Sequence, residues 1–435
     1  MLPEGSLFYM HHAEPGICIE KAREENRMDD RQVLRRLAAD YFQASQSKAN
    51  DERRILHRAV NDLQMIRPVV LIDEIPFHEL NVDGSLTLQC EDPVLREPED
   101  FLRKKLFQWK YFPADMILTP YFPVPKAFSS TGIGVSVQEE ILAADANNHI
   151  VSHEYQDQLE TEEALEKLRL PVLTLNEEET KARFERIADA IGDVLPVKIV
   201  GHNSYITMWD QIASLRGVTP LLIDLAERPE FCHKMIRKFT DIEISISEQM
   251  EALGLYEANP LDIHCTSALN STLPGECGAG PVKRSQVWGR GMAQIFASVS
   301  KAMHEEFDIE YMQEIMEPFG LVYYGCCEPL DRKIDIVEKL PHLRKIGVTP
   351  WADVDVTTEA IGGKYVVANK PNPALVATGA LDEDALRSEL SHTLAACRRN
   401  GCSCDIVLKD ISSAGYRLEN LVRWEQIAME LVKSW

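Results

Sequence analysis

The sequence predicts an α/β chain of the (β/α)8 barrel type, with an N-terminal helical extension and an insertion over the barrel mouth. Three observations lead there. Short apolar runs such as Val69–Ile72, Val197–Val200 and Asp405–Leu408 read as strands buried on both faces. Helical stretches separate such runs through most of the chain, which is the βαβ rhythm of a parallel sheet. No Gly-x-Gly-x-x-Gly follows the first strand, so the main rival, a doubly wound dinucleotide-binding sheet, lacks its signature.

The elements follow in order. Residues 1–28 have no clear periodicity. Asp29 or Asp30 can cap a helix whose apolar stripe is Val33, Leu34, Leu37, Ala38 and Tyr41. A second helix, from about Asp51 to Gln64, carries Ile55, Leu56, Val60 and Leu63. Together these make an extension over 1–66, packed on a barrel over 67–435. The barrel starts with Val69–Ile72, which ends in Asp73, Glu74 and His78. A helix over 97–111 leads to an expected strand at Met116–Leu118, ending in Tyr121. Residues 125–180 interrupt the rhythm and read as the covering excursion. A helix near 177–192 and the strand Val197–Val200 restore it, with His202 and Asn203 beyond. Further strands are expected at 261–265, within 287–299, and at 321–324, 343–348, 365–368 and 405–408. Helices at 302–318, 334–340, 354–361, 382–399 and 419–435 accompany them. This gives about nine candidates for an eight-fold pattern; the surplus one belongs to the pair near 262 and 292.

Charge narrows the partners. The 435 residues carry a net charge of −23, from 69 acids against 46 bases. Such a surface repels nucleic acid and anionic lipid. No apolar run approaches the roughly 20 residues of a membrane span. The first residues lack the basic and apolar regions of a signal peptide, so a cytoplasmic location is expected. Ten cysteines then point away from a disulfide framework, toward buried packing and a metal or redox cluster. A homodimer is expected from the size of the barrel.

Ligands bind at the carboxyl ends of parallel strands, so the residues there are the candidates. Cys326 and Cys327 follow the strand Leu321–Tyr324, and Cys402 and Cys404 open the strand at 405. If these places meet, their thiolates could hold zinc with an open fourth position; the bland reading is four small residues in tight packing. His264 could supply a nitrogen ligand or serve as a hydrogen-bonded core imidazole. Glu74, His202 and Asp410 are candidates for acid/base work or for positioning a substrate. His78, Tyr121, Asn203, Glu328 and Lys409 are candidate substrate contacts. For Lys409 and Asp410 the default is an ion pair with each other. Lys370, after another strand, could hold an anion or be solvated.

Several stretches together resemble a known family. They are Met208-Trp209 through Arg216-Gly217, Asp224-Leu225 with Pro229-Glu230, Ser300 through Phe307 with Tyr311, Gly320 to Leu330, and the strand of Cys404. They resemble the uroporphyrinogen decarboxylase superfamily, and within it the cobamide-dependent methyltransferase branch, over residues 30–435. The resemblance implies a (β/α)8 barrel and a zinc enzyme. Its methyltransferase members carry a His-x-Cys at one strand end and a further Cys much later. Cys327 matches the first cysteine and Cys404 the second, while the histidine position falls on Gly325. A substitute ligand is needed, from among His264, Cys326 and Glu328, and His264 is taken as the third. The implied activity moves a methyl group between a corrinoid on a partner protein and a thiol or other small acceptor. The decarboxylase branch has an Arg-rich segment after its first strand. Here Ile72 to His78 contains no arginine, which argues against a many-carboxylate tetrapyrrole as substrate. The alternatives are a metal-free decarboxylase or lyase using His and acid residues, and a non-catalytic corrinoid- or tetrapyrrole-binding protein.

Overall fold

In a computed structural model of the chain, residues 29–142, 151–275 and 280–435 are described. The first part of the expected extension, residues 1–28, lies outside the described residues. Asp29 starts the first helix, Asp30–Ser45, with a reciprocal cap. Its carboxylate accepts from the Gln32 amide at 2.8 Å, and the Gln32 side chain accepts from the Asp29 amide at 3.3 Å. The expected stripe, Val33 to Tyr41, is buried with Leu95 and Leu102 of the helix Pro93–Tyr111. The second helix runs Lys48–Asn61.

The strands are β1 (Val69–Ile72), β2 (Phe122–Pro125), β3 (Phe128–Ser130), β4 (Glu139–Leu142), β5 (Ser152–Tyr155), β6 (Leu173–Leu175), β7 (Val197–Val200), β8 (Trp288–Gly291), β9 (Leu321–Tyr324), β10 (Leu343–Val348), β11 (Val366–Asn369) and β12 (Ser403–Leu408). Six form one parallel sheet in the order β1-β12-β11-β10-β9-β8, and β2 pairs in parallel with β7. The covering excursion holds two antiparallel pairs, β3 with β6 and β4 with β5. Among the described residues no helix is long and apolar enough to cross a membrane.

The hydrogen-bonded strand pairs do not close into a ring among the described residues, and the sequence explains one gap. The Phe122 amide donates to Pro196 and that of Lys126 to Val200, so alternate donors of β2 face β7. The opposite edge would use residues 123 and 125, and both are proline, which has no N–H. Between β7 and β8 only isolated bridges remain, such as Ile206 with Gly291.

Two expected strands are corrected. Met116–Leu118 is not a strand, because Asn50 takes both backbone groups of Leu118, donating to its carbonyl and accepting from its amide at 2.8 Å each. The strand forms later, at β2, so Tyr121 stands at the amino end of a strand rather than beyond its carboxyl end. Leu261–Cys265 is a turn: Ile263 donates to Thr266 at 3.0 Å, and His264 and Cys265 take positive φ of 24° and 60°. The surplus candidate was therefore this one, and β8 is the strand.

The interior of the sheet holds an ion pair. Lys345 on β10 and Asp405 on β12 lie 2.8 Å apart with both side chains fully buried. Asp405 also accepts from the hydroxyls of Thr266 (2.7 Å) and Ser267 (2.8 Å), and Lys345 donates to the Ser267 carbonyl at 2.7 Å. Removing one partner leaves a buried charge without its counter-charge. Asp405→Ala should therefore cost about 3–5 kcal/mol of stability in urea denaturation.

Candidate functional site

The site forms where three strands end and the turn at 261–267 folds over them. Beyond β1 comes Glu74, at φ 48°; beyond β12 come Lys409 and Asp410, the latter at φ 54°. Beyond β9 the chain turns at Gly325, at φ 98°, and presents Cys326 and Cys327. A Cβ at Gly325 would lie 2.7 Å from the Leu330 side chain, so this position has neither the backbone conformation nor the room for a ligand side chain. The turn is braced from below by Glu328. Its buried carboxylate accepts from the amides of Cys326 (2.9 Å) and Ala293 (3.1 Å). Glu328 thus shapes the cysteine turn rather than meeting a substrate.

The sulfur of Cys326 is the hub. It lies 3.7 Å from the Cys327 sulfur, 3.8 Å from His264 Nε2 and 3.2 Å from the Lys409 ammonium. Lys409 also reaches Cys327 at 3.7 Å and Asp410 at 3.1 Å, so the expected ion pair with Asp410 is present. Asp410 Oδ2 lies 3.3 Å from the Cys327 sulfur. On the far side Cys265 donates to Glu74 Oε1 at 3.4 Å, and Glu74 Oε2 accepts from the Asp410 amide at 2.9 Å. Ligand atoms of Glu74, His264 and Cys265 all lie within 4.8 Å of one another.

These contacts divide the thiols by charge. A hydrogen bond from Cys327, then those of His264 and the charge of Lys409, hold the Cys326 thiol well below its ordinary range, against the cost of burial. Cys327 moves the other way, because it donates to that thiolate and is itself part-buried. Burial also pushes Cys265 up. Glu74 is raised by burial and by its hydrogen bond with Asp410. Burial alone would lower Lys409, but the facing sulfurs and Asp410 outweigh it, so its ammonium is firmly protonated.

The other expected residues are placed elsewhere. Cys404 is corrected: it is the second residue of β12, so it lies at the amino end, while Cys327 lies beyond the carboxyl end of β9. From Cys404 to Leu408 is about 13 Å of strand at roughly 3.3 Å per residue. Cys404 is fully buried, its amide donates to the Met65 sulfur at 3.1 Å, and its thiol packs with Cys397. Cys402 donates to the Thr358 carbonyl at 3.4 Å. This second thiol group fits the packing reading. The ring of His202 bonds the Lys126 carbonyl at 2.7 Å and stacks edge-on with Phe128. Asn203 donates to the Asp262 carbonyl at 3.1 Å and so ties down the turn that carries His264. Tyr121 sits under the Lys198 ammonium, at 4.9 Å. His78 lines a cavity of about 760 Å³ that opens onto Glu74 and Asp410 and is walled by Phe77, Asn81 and Ile411. Lys370 is buried and donates to the Cys265 carbonyl.

Sequence reasoning missed Cys265. The pairing His264-Cys265 was visible, but only the turn with two positive φ values aims both residues into one site.

In the folded protein, thiolate absorbance removed by Cys326→Ala should persist at pH values well below the ordinary thiol midpoint of about 8.5. Lys409→Met takes away a facing cation, so it should raise the titration midpoint by roughly a pH unit or more. A wild-type midpoint at or above the ordinary value would overturn the assignment of the thiolate.

No family model and no curated protein matches the chain. Among the solved structures it resembles is a methyltransferase from Methanosarcina mazei, at a TM-score of 0.50 and 12% sequence identity, covering 87% of this chain and 98% of that one. At that identity the likeness shows a shared α/β fold along nearly the whole of both chains.

Proposed function

We propose that the chain is a zinc-dependent methyltransferase-like enzyme whose metal is held by Glu74, His264 and Cys265. The observation that carries this is that their ligand atoms all lie within 4.8 Å of one another, a carboxylate, an imidazole and a thiol of the kinds that zinc takes with a fourth position open. Cys326, 3.8 Å from His264 Nε2, stands beside this set, and Cys327 stands 3.7 Å from Cys326. Zinc bound there would keep a substrate thiol deprotonated at neutral pH. Lys409 would balance the negative sulfurs from one side. A proton leaving the incoming thiol has an acceptor at Asp410 Oδ2. The cavity beside Glu74 and Asp410 gives the acceptor a way in. A corrinoid on a partner protein remains the proposed methyl carrier, in keeping with the resemblance of the cysteine turn. The parallel strands β1, β2 and β7 to β12 read as a (β/α)8-type arrangement with interrupted pairing.

A second reading rests on Lys409. An ammonium 3.2 Å from Cys326 already neutralises a thiolate without a metal, as a metal-free lyase would use it. Elemental analysis separates the two. The purified protein should carry about one zinc per chain. Glu74→Gln, Cys265→Ser and His264→Ala should each lose it, and Cys404→Ser should keep it. A metal-free protein that cannot be loaded with zinc, or a Cys404→Ser variant that loses it while remaining folded, would overturn the reading.

A further inference from the structure

Arg290 lies at the centre of β8, level with Tyr323 of β9, and its side chain is fully buried. The guanidinium sits over two aromatic rings, with its carbon 5.2 Å from the ring centre of Tyr205 and 5.0 Å from that of Tyr323. Such contacts use the positive charge but none of the N–H donors. Among the described residues all three of its nitrogens lack a hydrogen-bond partner, and so does the buried Tyr323 hydroxyl. An arginine presents five donors in a rigid fork, and burying them unpaired is costly. Nearby negative groups, the Cys326 sulfur and Glu328, supply charge at a distance but do not fill the fork.

The fork belongs to the site already described. Tyr205 is half exposed, and its ring meets that of His264 edge-on at 4.9 Å. His264 in turn reaches Cys326 at 3.8 Å. The buried guanidinium is thus one aromatic ring away from the thiol cluster. Tyr205 forms the outward wall between them and solvent.

We propose that Arg290, with the Tyr323 hydroxyl, seats the carboxylate of a small organic acid whose other end faces Cys326 and Cys327. A planar carboxylate matches the guanidinium fork with two parallel hydrogen bonds. It would satisfy donors that the fold leaves unused. The charge of the unpaired guanidinium would attract the acid even in a chain of net charge −23. The far end of the ligand rests on the methyltransferase reading, but the carboxylate seat does not need a metal.

The test is calorimetric titration of the purified full chain, before and after chelation, with propionate, propionamide and 3-mercaptopropionate. Propionate and 3-mercaptopropionate should bind in both preparations, and the neutral amide should not. Arg290→Gln should weaken both acids at least about tenfold, the loss expected when a charged hydrogen-bonding partner is removed; Arg290→Lys should fall between. Equal binding of propionate and propionamide by the wild type would overturn the proposal without any variant. So would wild-type-like binding of propionate by a folded Arg290→Gln protein, or no binding of either acid. Acid binding that survives chelation while zinc is absent throughout would sink the metal reading and leave the seat standing.

Discussion

The buried ion pair between Lys345 and Asp405 governs more of this molecule than any other contact. It links β10 to β12 across the intervening β11, and so holds the register that delivers Lys409 and Asp410 to the mouth. The same carboxylate accepts from Thr266 and Ser267, and therefore anchors the turn that carries His264 and Cys265. One desolvated pair thus fixes two of the four segments that build the site. Desolvation makes such a pair expensive to form, and its extra hydrogen bonds are what make the geometry tolerable.

All four segments, the Glu74 end and the cysteine turn at Gly325 among them, depend on backbone shape. Glu74, His264, Cys265 and Asp410 all take positive φ without being glycine. Such conformations persist only where surrounding contacts over-determine them, and here they gather around one cluster. The Asp410 amide bonded to Glu74, the Cys326 amide bonded to Glu328, and Asn203 bonded to the turn supply those contacts. The side chains are consequently aimed inward by the main chain itself.

Several cations lie buried beneath the site. An acidic protein turns Lys345, Lys370, Lys409 and Arg290 inward, all of them buried. Lys345 is matched by Asp405 and Lys409 by the sulfur cluster and Asp410. Lys370 caps a carbonyl, and the Arg290 fork is left over. An unpaired buried guanidinium favours an anionic group, whether a thiolate of the chain or an acid from outside.

The sequence by itself determined the alternation of strands and helices. Strands at 69–72, 197–200 and 321–324 and the helix at 354–361 fall where the sequence pattern puts them, because such patterns are local. It also pointed to Cys326 and Cys327 at a strand end. The strand at 116–118 could not be judged locally, since Asn50 on another helix takes its backbone groups. The pairing of Cys327 with Cys404 failed for a related reason. Parallel strands share a direction, so a residue that opens one cannot meet a residue that follows another. The true neighbours, Lys409 and Asp410, come from the far end of the same strand. Only the tertiary structure decided this, because which sulfur, ammonium and carboxylate become adjacent depends on register across the sheet, and no spacing along the chain encodes it.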